Sequence, residues 1–96
     1  MNSQLVREML KSHTHRLREL GVESLSLFGS VARDQASPGS DVDLLVQFAG
    51  PPSFDRYMDL KLLLEESLGA KVDLVTPRAL RPALRHRIEK DAIRVA

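Results

Sequence analysis

The 96-residue chain contains no cysteine, which excludes disulfides and thiolate chemistry. This is compatible with a reducing compartment. The N-terminus lacks a basic segment followed by an apolar one, and no apolar run approaches the roughly 18 residues of a membrane span. We therefore expect a cytoplasmic protein that is neither exported nor inserted into a membrane.

Aromatic residues are scarce, at 4% of the chain, and the formal net charge is only +1. A nearly neutral protein has no long-range field that would attract nucleic acid or anionic lipid. Basic residues do cluster between positions 78 and 94, but no aromatic side chain is interleaved with them. We expect no direct nucleic-acid binding, and the cluster is either a solvated helix face or a docking surface for an acidic partner.

The length and the composition, 43% hydrophobic and 28% charged, are those of one modest globular domain without repeats. We therefore predict that residues 1–96 form a single domain. Hydrophobic spacing predicts an amphipathic helix over residues 3–20, ended by Gly21, with an apolar face formed by Leu5, Met9, Leu10, Leu17 and Leu20. His13 falls on that stripe and is interpreted as a partly buried packing residue.

A second helix is predicted from its Ser53 cap to about Leu68, ended by Gly69, with apolar positions numerous enough to bury most of it. Its Tyr57 could stack on a base, although packing is the safer interpretation. Thr76-Pro77 begins a helical turn, and Pro82 begins a last helix with an apolar stripe at Leu84, Ile88 and Ala92.

Strands are predicted at the apolar run that ends at Phe28, at the run after Asp41, at Val72 to Val75, and as a short edge strand at 93–95. Gly50-Pro51-Pro52 ends the second strand, and Pro38-Gly39 marks a turn in the loop before it. The predicted fold class is α/β (α+β), with a small mixed central sheet of three to four strands flanked by helices.

The most informative stretch runs from Leu25 to Val46, where a strand turns into a short helix and a loop leads into a second strand. Glycine at position 29 allows a sharp turn. Ser30 then opens the helix, so that free backbone N–H groups and a hydroxyl can bind a phosphate oxygen.

Two carboxylates, Asp41 and Asp43, are spaced to share one face of the second strand. Paired carboxylates are hard oxygen ligands suited to Mg²⁺. Each feature alone is commonly only a turn, a cap or an exposed strand charge. Together they flank one short loop and would face each other, which favours nucleotide chemistry.

These residues also resemble a known family. The resemblance rests on two segments, Gly29-Ser30-x-Ala32-Arg33 and Ser40-Asp41-x-Asp43-Leu44. They are similar to the signature of the DNA polymerase beta-type nucleotidyltransferases, and more narrowly to the minimal nucleotidyltransferases (MNT proteins), the antitoxins of HEPN–MNT toxin–antitoxin pairs. The resemblance implies a nucleotidyltransferase fold and a third carboxylate on a later strand, which Asp73 supplies.

The resemblance implies a reaction in which ATP is the substrate and two Mg²⁺ ions are bound by Asp41, Asp43 and Asp73. Asp73 would also help to activate the acceptor hydroxyl. Gly29, Ser30 and Ser40 are expected to bind the nucleotide. Arg33, about one helical turn on, either contacts a phosphate or forms a surface salt bridge.

MNT antitoxins transfer AMP to a tyrosine of a HEPN ribonuclease toxin, so the resemblance implies a HEPN-type partner, with the helix around Leu84 and Ile88 as the expected docking surface. Three alternatives stay open: a transferase for a small molecule such as an aminoglycoside, an antitoxin that only binds its toxin, and, least expected, a polymerase-like enzyme.

One residue departs from the family pattern. Asp34 stands where the family usually has glycine. Asp tolerates a positive φ better than most residues. Its charge near the phosphates is nevertheless expected to weaken nucleotide binding.

Overall fold

A mixed four-stranded β-sheet lies at the centre of the protein. The structure is a computed structural model that describes residues 1–35 and 39–96. The predicted turn at Pro38-Gly39 lies partly outside the described residues. The helices and strands are, in chain order, α1 (Ser3–Leu10), α2 (Thr14–Glu19), β1 (Val22–Phe28), α3 (Gly29–Ala32), β2 (Val42–Phe48), α4 (Phe54–Leu68), β3 (Val72–Val75), α5 (Pro82–Asp91) and β4 (Ile93–Arg94).

The strands are arranged in the order β3-β2-β1-β4. β1 pairs antiparallel with β2 and with β4, whereas β2 and β3 are parallel. A parallel pair needs a crossover connection, and α4 supplies it. The prediction of a mixed sheet with three to four strands and flanking helices is therefore confirmed.

The hydrophobic core lies on one face of this sheet. Alternate residues of the three longer strands are buried there, namely Leu25, Leu27, Val42, Leu44, Val46, Val72 and Leu74. Helices α1, α2 and α4 cover them with Val6, Leu10, Leu17, Leu20, Leu60, Leu64 and Leu68. The opposite face carries the intervening residues, among them Asp43 and Asp73, and this face is the one with the candidate site.

The N-terminal helix differs from its prediction. The helical segment is interrupted at Lys11–His13 by a 3₁₀ turn, where the Thr14 hydroxyl donates a hydrogen bond of 3.0 Å to the Lys11 carbonyl oxygen. Such side-chain bonding competes with regular α-helical bonding. The residues of α1 that face the core also differ from the predicted stripe. Leu5 is 43% exposed and Val6 is fully buried, which the single-helix pattern did not predict.

Helix α4 begins and ends where the sequence predicts. The Ser53 hydroxyl oxygen accepts a hydrogen bond of 3.1 Å from the Arg56 N–H, and Gly69 ends the helix with a φ of 61°. The prediction that most of α4 is buried is wrong. Phe54 and Leu62 are 76% and 53% exposed, because the sheet is narrow and covers only the stripe formed by Leu60, Leu64 and Leu68.

The C-terminal segment follows its prediction more closely. Pro77–Ala79 forms a 3₁₀ turn, α5 begins at Pro82, and the edge strand β4 pairs with Ser26 and Leu27 of β1. Ala92 lies just beyond the end of α5. Within residues 1–35 and 39–96, no helix has both the length and the apolar character that crossing a membrane requires.

Candidate functional site

The turn between β1 and α3 forms one side of the candidate site. β1 ends in extended backbone at Phe28, and Gly29 then adopts a φ of 72° and begins α3, which is a single turn of four residues. Arg33 N–H closes that turn with a hydrogen bond of 3.2 Å to the Gly29 carbonyl oxygen. The N–H groups of a first helical turn have no partner within the helix, so this turn can donate to an anion.

Gly29 lies directly against Asp43, because Phe28 and Asp43 are cross-strand partners of β1 and β2. A Cβ atom at position 29 would overlap the Asp43 Oδ2 atom and lie 3.1 Å from its Cγ. The site therefore needs glycine here for two reasons, the positive φ and the close approach of the carboxylate. The sequence indicated only the first.

The three predicted aspartates lie at the start of the parallel strand pair. Asp43 and Asp73 are direct register partners on β2 and β3, so both lie on the sheet face opposite the core. Asp41 precedes Asp43 by two residues and is exposed. β2 begins at Val42, so Asp41 lies just outside the strand on which it was predicted.

The surroundings of Asp43 disfavour its ionised form. Burial, followed by the negative charges of Asp73 and Asp41, raises the pKa of the Asp43 carboxyl, and the Arg33 guanidinium partly opposes this shift. A carboxylate beside other carboxylates is costly to ionise unless a cation neutralises it. The site thus has a deficit of positive charge.

This donor set fits a divalent cation in its chemistry. Carboxylate oxygens are the ligands that Mg²⁺ prefers, and a bound cation would relieve the repulsion that raises the Asp43 pKa. Within the described residues, however, no three acidic or histidine side chains are already grouped to hold a metal ion. Coordination of one ion by all three aspartates would require their side chains to turn.

Arg33 ends the α3 turn and is exposed. Its Nε donates a hydrogen bond of 3.3 Å to the Gln35 Oε1 atom. The three ion pairs formed within the described part of the chain all lie on the N-terminal helical segment and do not include Arg33. Its guanidinium is close enough to the carboxylates to oppose the rise in the Asp43 pKa.

The remaining predicted site residues flank the same loop. Ser30 is half-buried, and its carbonyl oxygen accepts a hydrogen bond of 2.8 Å from the Gln35 N–H. Ser40 is half-buried and immediately precedes Asp41. Asp34 has a φ of 59°, the only positive φ of a non-glycine residue within the described ranges. The departure from the usual glycine is therefore tolerated by the backbone as expected.

Two residues of α4, Tyr57 and Glu65, hold β3 in place. Glu65 Oε2 accepts a hydrogen bond of 3.0 Å from the Val72 N–H. The Tyr57 hydroxyl donates to the Leu74 carbonyl oxygen, and burial and the charge of Asp73 raise the pKa of Tyr57. Tyr57 therefore packs as the sequence indicated, and in addition fixes the strand that carries Asp73. In the sequence, only the i, i+8 spacing of Glu65 from Tyr57 on one helix face indicated that Glu65 could contact β3.

Comparison with known proteins is consistent with this geometry. The nucleotidyltransferase domain family matches residues 10–95 of the chain. Protein adenylyltransferase MntA of Thermococcus cleftensis is 35% identical over 91 residues, which cover 94% of this chain and 92% of the relative. The resemblance predicted from the sequence is thereby confirmed.

Solved structures extend the likeness to the fold. A structure provisionally described as a minimal nucleotidyltransferase superimposes with a TM-score of 0.83 at 36% identity, over 97% of this chain and 95% of that one. A chain in the complex of the tri-AMPylated Shewanella oneidensis HEPN toxin with the MNT antitoxin superimposes with a TM-score of 0.67, over 98% of this chain and 71% of that one. Its identity is 22%, so this second likeness is one of fold.

Proposed function

The chain belongs to the nucleotidyltransferase domain family, and we propose that residues 1–96 act as one domain that transfers AMP from ATP to a hydroxyl of a partner protein. The observation that carries this proposal is the pairing of Asp43 with Asp73 across β2 and β3, directly beside Gly29. A carboxylate cluster next to a phosphate-binding turn combines the two elements that nucleotidyl transfer needs.

In this reaction the acceptor oxygen attacks the α-phosphorus of ATP while the bond between that phosphorus and the oxygen bridging to the β-phosphate breaks. Pyrophosphate leaves, and the acceptor hydroxyl loses its proton. Asp73 is the proposed proton acceptor at a carboxylate oxygen, because it is exposed on the open face of the sheet where an acceptor can reach it.

Asp41, Asp43 and Asp73 are the residues that would hold Mg²⁺, two ions being expected. When bound, these ions would neutralise the negative charge of the phosphates. Strand pairing places these aspartates between the phosphate-binding turn and the acceptor side of the site, since Asp43 lies against Gly29 on β1 and is the register partner of Asp73 on β3.

The nucleotide phosphates are proposed to bind the α3 turn. Gly29 and Ser30 donate backbone N–H groups and a hydroxyl, Ser40 lies on the other side of the loop, and Arg33 adds a charge-assisted contact. Asp34, which is exposed next to Arg33, weakens this binding by its negative charge.

The proposed partner is a HEPN-type toxin, with this chain as the antitoxin. Support comes from the name of the relative, a protein adenylyltransferase, and from the fold shared with an MNT antitoxin whose HEPN toxin is AMPylated. The proposed docking surface is the part of α5 around Leu84 and Ile88. Leu84 is 47% exposed although it is apolar, and basic side chains surround it.

Labelled ATP tests the transfer. The purified protein, Mg²⁺ and host-cell lysate are incubated with ATP labelled at the α-phosphate, in parallel with an Asp43→Asn variant. We expect a protein band to take up label with the wild type only. Label on a small molecule such as an aminoglycoside, or on no protein at all, would contradict the proposal, the second outcome favouring an antitoxin that only binds.

The docking surface is tested by Leu84→Arg. We expect this variant to lose the partner while it keeps ATP binding, because Leu84 is apolar and exposed and is not among the groups proposed to contact the nucleotide. Phe54→Arg is the matched control, since it changes an even more exposed apolar residue on another helix. Equal loss of the partner in both variants, or loss of ATP binding in Leu84→Arg, would remove α5 from the interface.

A further inference from the structure

Helix α5 turns one mixed row of side chains toward the α3 turn. The row consists of Leu84, Arg87, Ile88 and Asp91, at the spacing i, i+3, i+4 and i+7 that defines one helix face. A face that served packing alone would be apolar throughout. Here two of the four residues are charged, and α5 has no buried residue.

This row and the α3 turn line a shared open concavity of about 180 Å³, with Phe28, Gly29 and Arg33 on the other side. Gly29 is also the residue that touches the Asp43 carboxylate, and Arg33 is the residue whose charge acts on Asp43. The concavity therefore adjoins the carboxylate cluster. It lies on the side of Gly29 that α5 covers.

Two guanidinium groups, from Arg33 and Arg87, line this concavity and form no ion pair with a carboxylate of residues 1–35 or 39–96. Asp91 lines the same concavity and reduces its positive charge, so that the net excess is one cation. Two arginines beside a glycine turn form a recognition site for phosphate oxygens.

We propose that Arg87 of α5, acting with Arg33, binds the terminal phosphates of the nucleotide and the pyrophosphate that leaves. This inference rests on the proposed function, since it names a further residue of the same nucleotide site. It also accounts for the arginine that α5 places beside the α3 turn. On this account α5 contributes to the nucleotide site through Arg87 and offers Leu84, one turn earlier, to the partner.

Calorimetric titration with ATP, AMP and inorganic pyrophosphate tests the proposal without any acceptor. The variants are Arg87→Gln, the conservative Arg87→Lys, and Lys90→Gln as matched control, since Lys90 is a cation of the same helix that does not line the concavity. The wild type and the three variants are first checked for equal thermal unfolding.

We expect Arg87→Gln to weaken ATP and pyrophosphate binding by about tenfold, because a charge-assisted contact is lost at an exposed site, and to leave AMP binding within about twofold. Arg87→Lys retains an intermediate affinity, and Lys90→Gln binds like wild type. The proposal is overturned if Arg87→Gln leaves ATP binding unchanged, or if it weakens AMP binding by the same factor as ATP binding. It is also overturned if Arg87→Gln and Lys90→Gln weaken ATP binding equally.

These results are separable from the fate of the proposed function. If no protein acceptor is labelled but Arg87→Gln selectively loses ATP, Arg87 remains a phosphate-binding residue and only the acceptor is wrong. If a protein acceptor is labelled but Arg87→Gln weakens only partner binding, the transfer reaction stands and Arg87 belongs to the docking surface instead.

Discussion

Replacing Gly29 with alanine separates the two reasons for glycine at that position. Gly29 and Gly69 both have positive φ, 72° and 61°, but a Cβ at Gly69 would meet nothing within 4 Å, whereas one at Gly29 would collide with Asp43. Gly69→Ala therefore measures the backbone strain alone, about 1–2 kcal/mol. In a domain of this size that corresponds to a fall in Tm of about 4–16 °C.

Gly29→Ala is expected to show the same strain and, in addition, a displaced carboxylate. Rotation of the Asp43 side chain relieves the overlap with Oδ2, but the new Cβ would still lie 3.3 Å from the Asp43 Cβ. β1 and β2 must then separate slightly, at a further cost of about 1–3 kcal/mol. Since a misplacement of about 1 Å can cost 100-fold in rate, we expect activity to fall by about that factor.

The assays are thermal unfolding without divalent cations and the rate of AMP transfer measured well below the Tm of each variant. Gly69→Ala should lose stability and keep its activity, whereas Gly29→Ala should lose both. Wild-type activity in Gly29→Ala would refute the conclusion that contact with Gly29 positions the Asp43 carboxylate. Equal inactivation of both variants would point to general unfolding instead.

Three further predictions concern the aspartates and their support. Burial and neighbouring carboxylates raise the pKa of Asp43, so ionisation of Asp43 reduces stability as the pH rises above its usual pKa of 3.8. In metal-free buffer at pH 7, Asp43→Asn should therefore be more stable than wild type by up to about 1 kcal/mol, a small value because the group is partly exposed. The Tm of both proteins is measured as a function of pH. If the Tm difference between them did not shrink as the pH falls, ionisation of Asp43 would not be its cause. Tyr57→Phe removes the hydrogen bond to the Leu74 carbonyl and should lower the free energy of unfolding, measured in urea, by about 1 kcal/mol. Unchanged stability would contradict this contribution. Glu65→Ala leaves the Val72 N–H without its acceptor, which should cost about 1–3 kcal/mol of stability and lower the activity. If hydrogen exchange at the Val72 amide stayed as slow as in wild type, Glu65 would not be what holds β3 in place.

Local patterns accounted for the parts of the fold that depend on neighbouring residues. The alternation in β3 placed Asp73 opposite its buried neighbours, and glycine and serine at the ends of α4 predicted its bounds. The register that pairs Asp43 with Asp73 lies beyond such patterns, because it depends on how two separate strands align.

Apart from the local 3₁₀ turn at Lys11–His13, the features that the sequence did not predict depend on contacts between distant residues. The approach of Gly29 to Asp43 arises from the pairing of β1 with β2, and the exposure of Phe54 and Leu62 from the narrowness of the sheet. Arg87 could not be distinguished from the other basic residues of its segment until α5 was placed beside the α3 turn. In each case the sequence shows the type of side chain but not the residue that it contacts in the fold.

Parallel incubations with ATP labelled at the α-phosphate and at the γ-phosphate distinguish AMP transfer from phosphate transfer and from binding alone. The protein, Mg²⁺ and a co-purified partner are incubated with each, and the partner is then analysed by mass spectrometry. We expect only the α-label to enter the partner, as one or more AMP groups on hydroxyl side chains, with release of pyrophosphate. Transfer of the γ-label, or an unmodified partner that is nevertheless bound and inhibited, would contradict it.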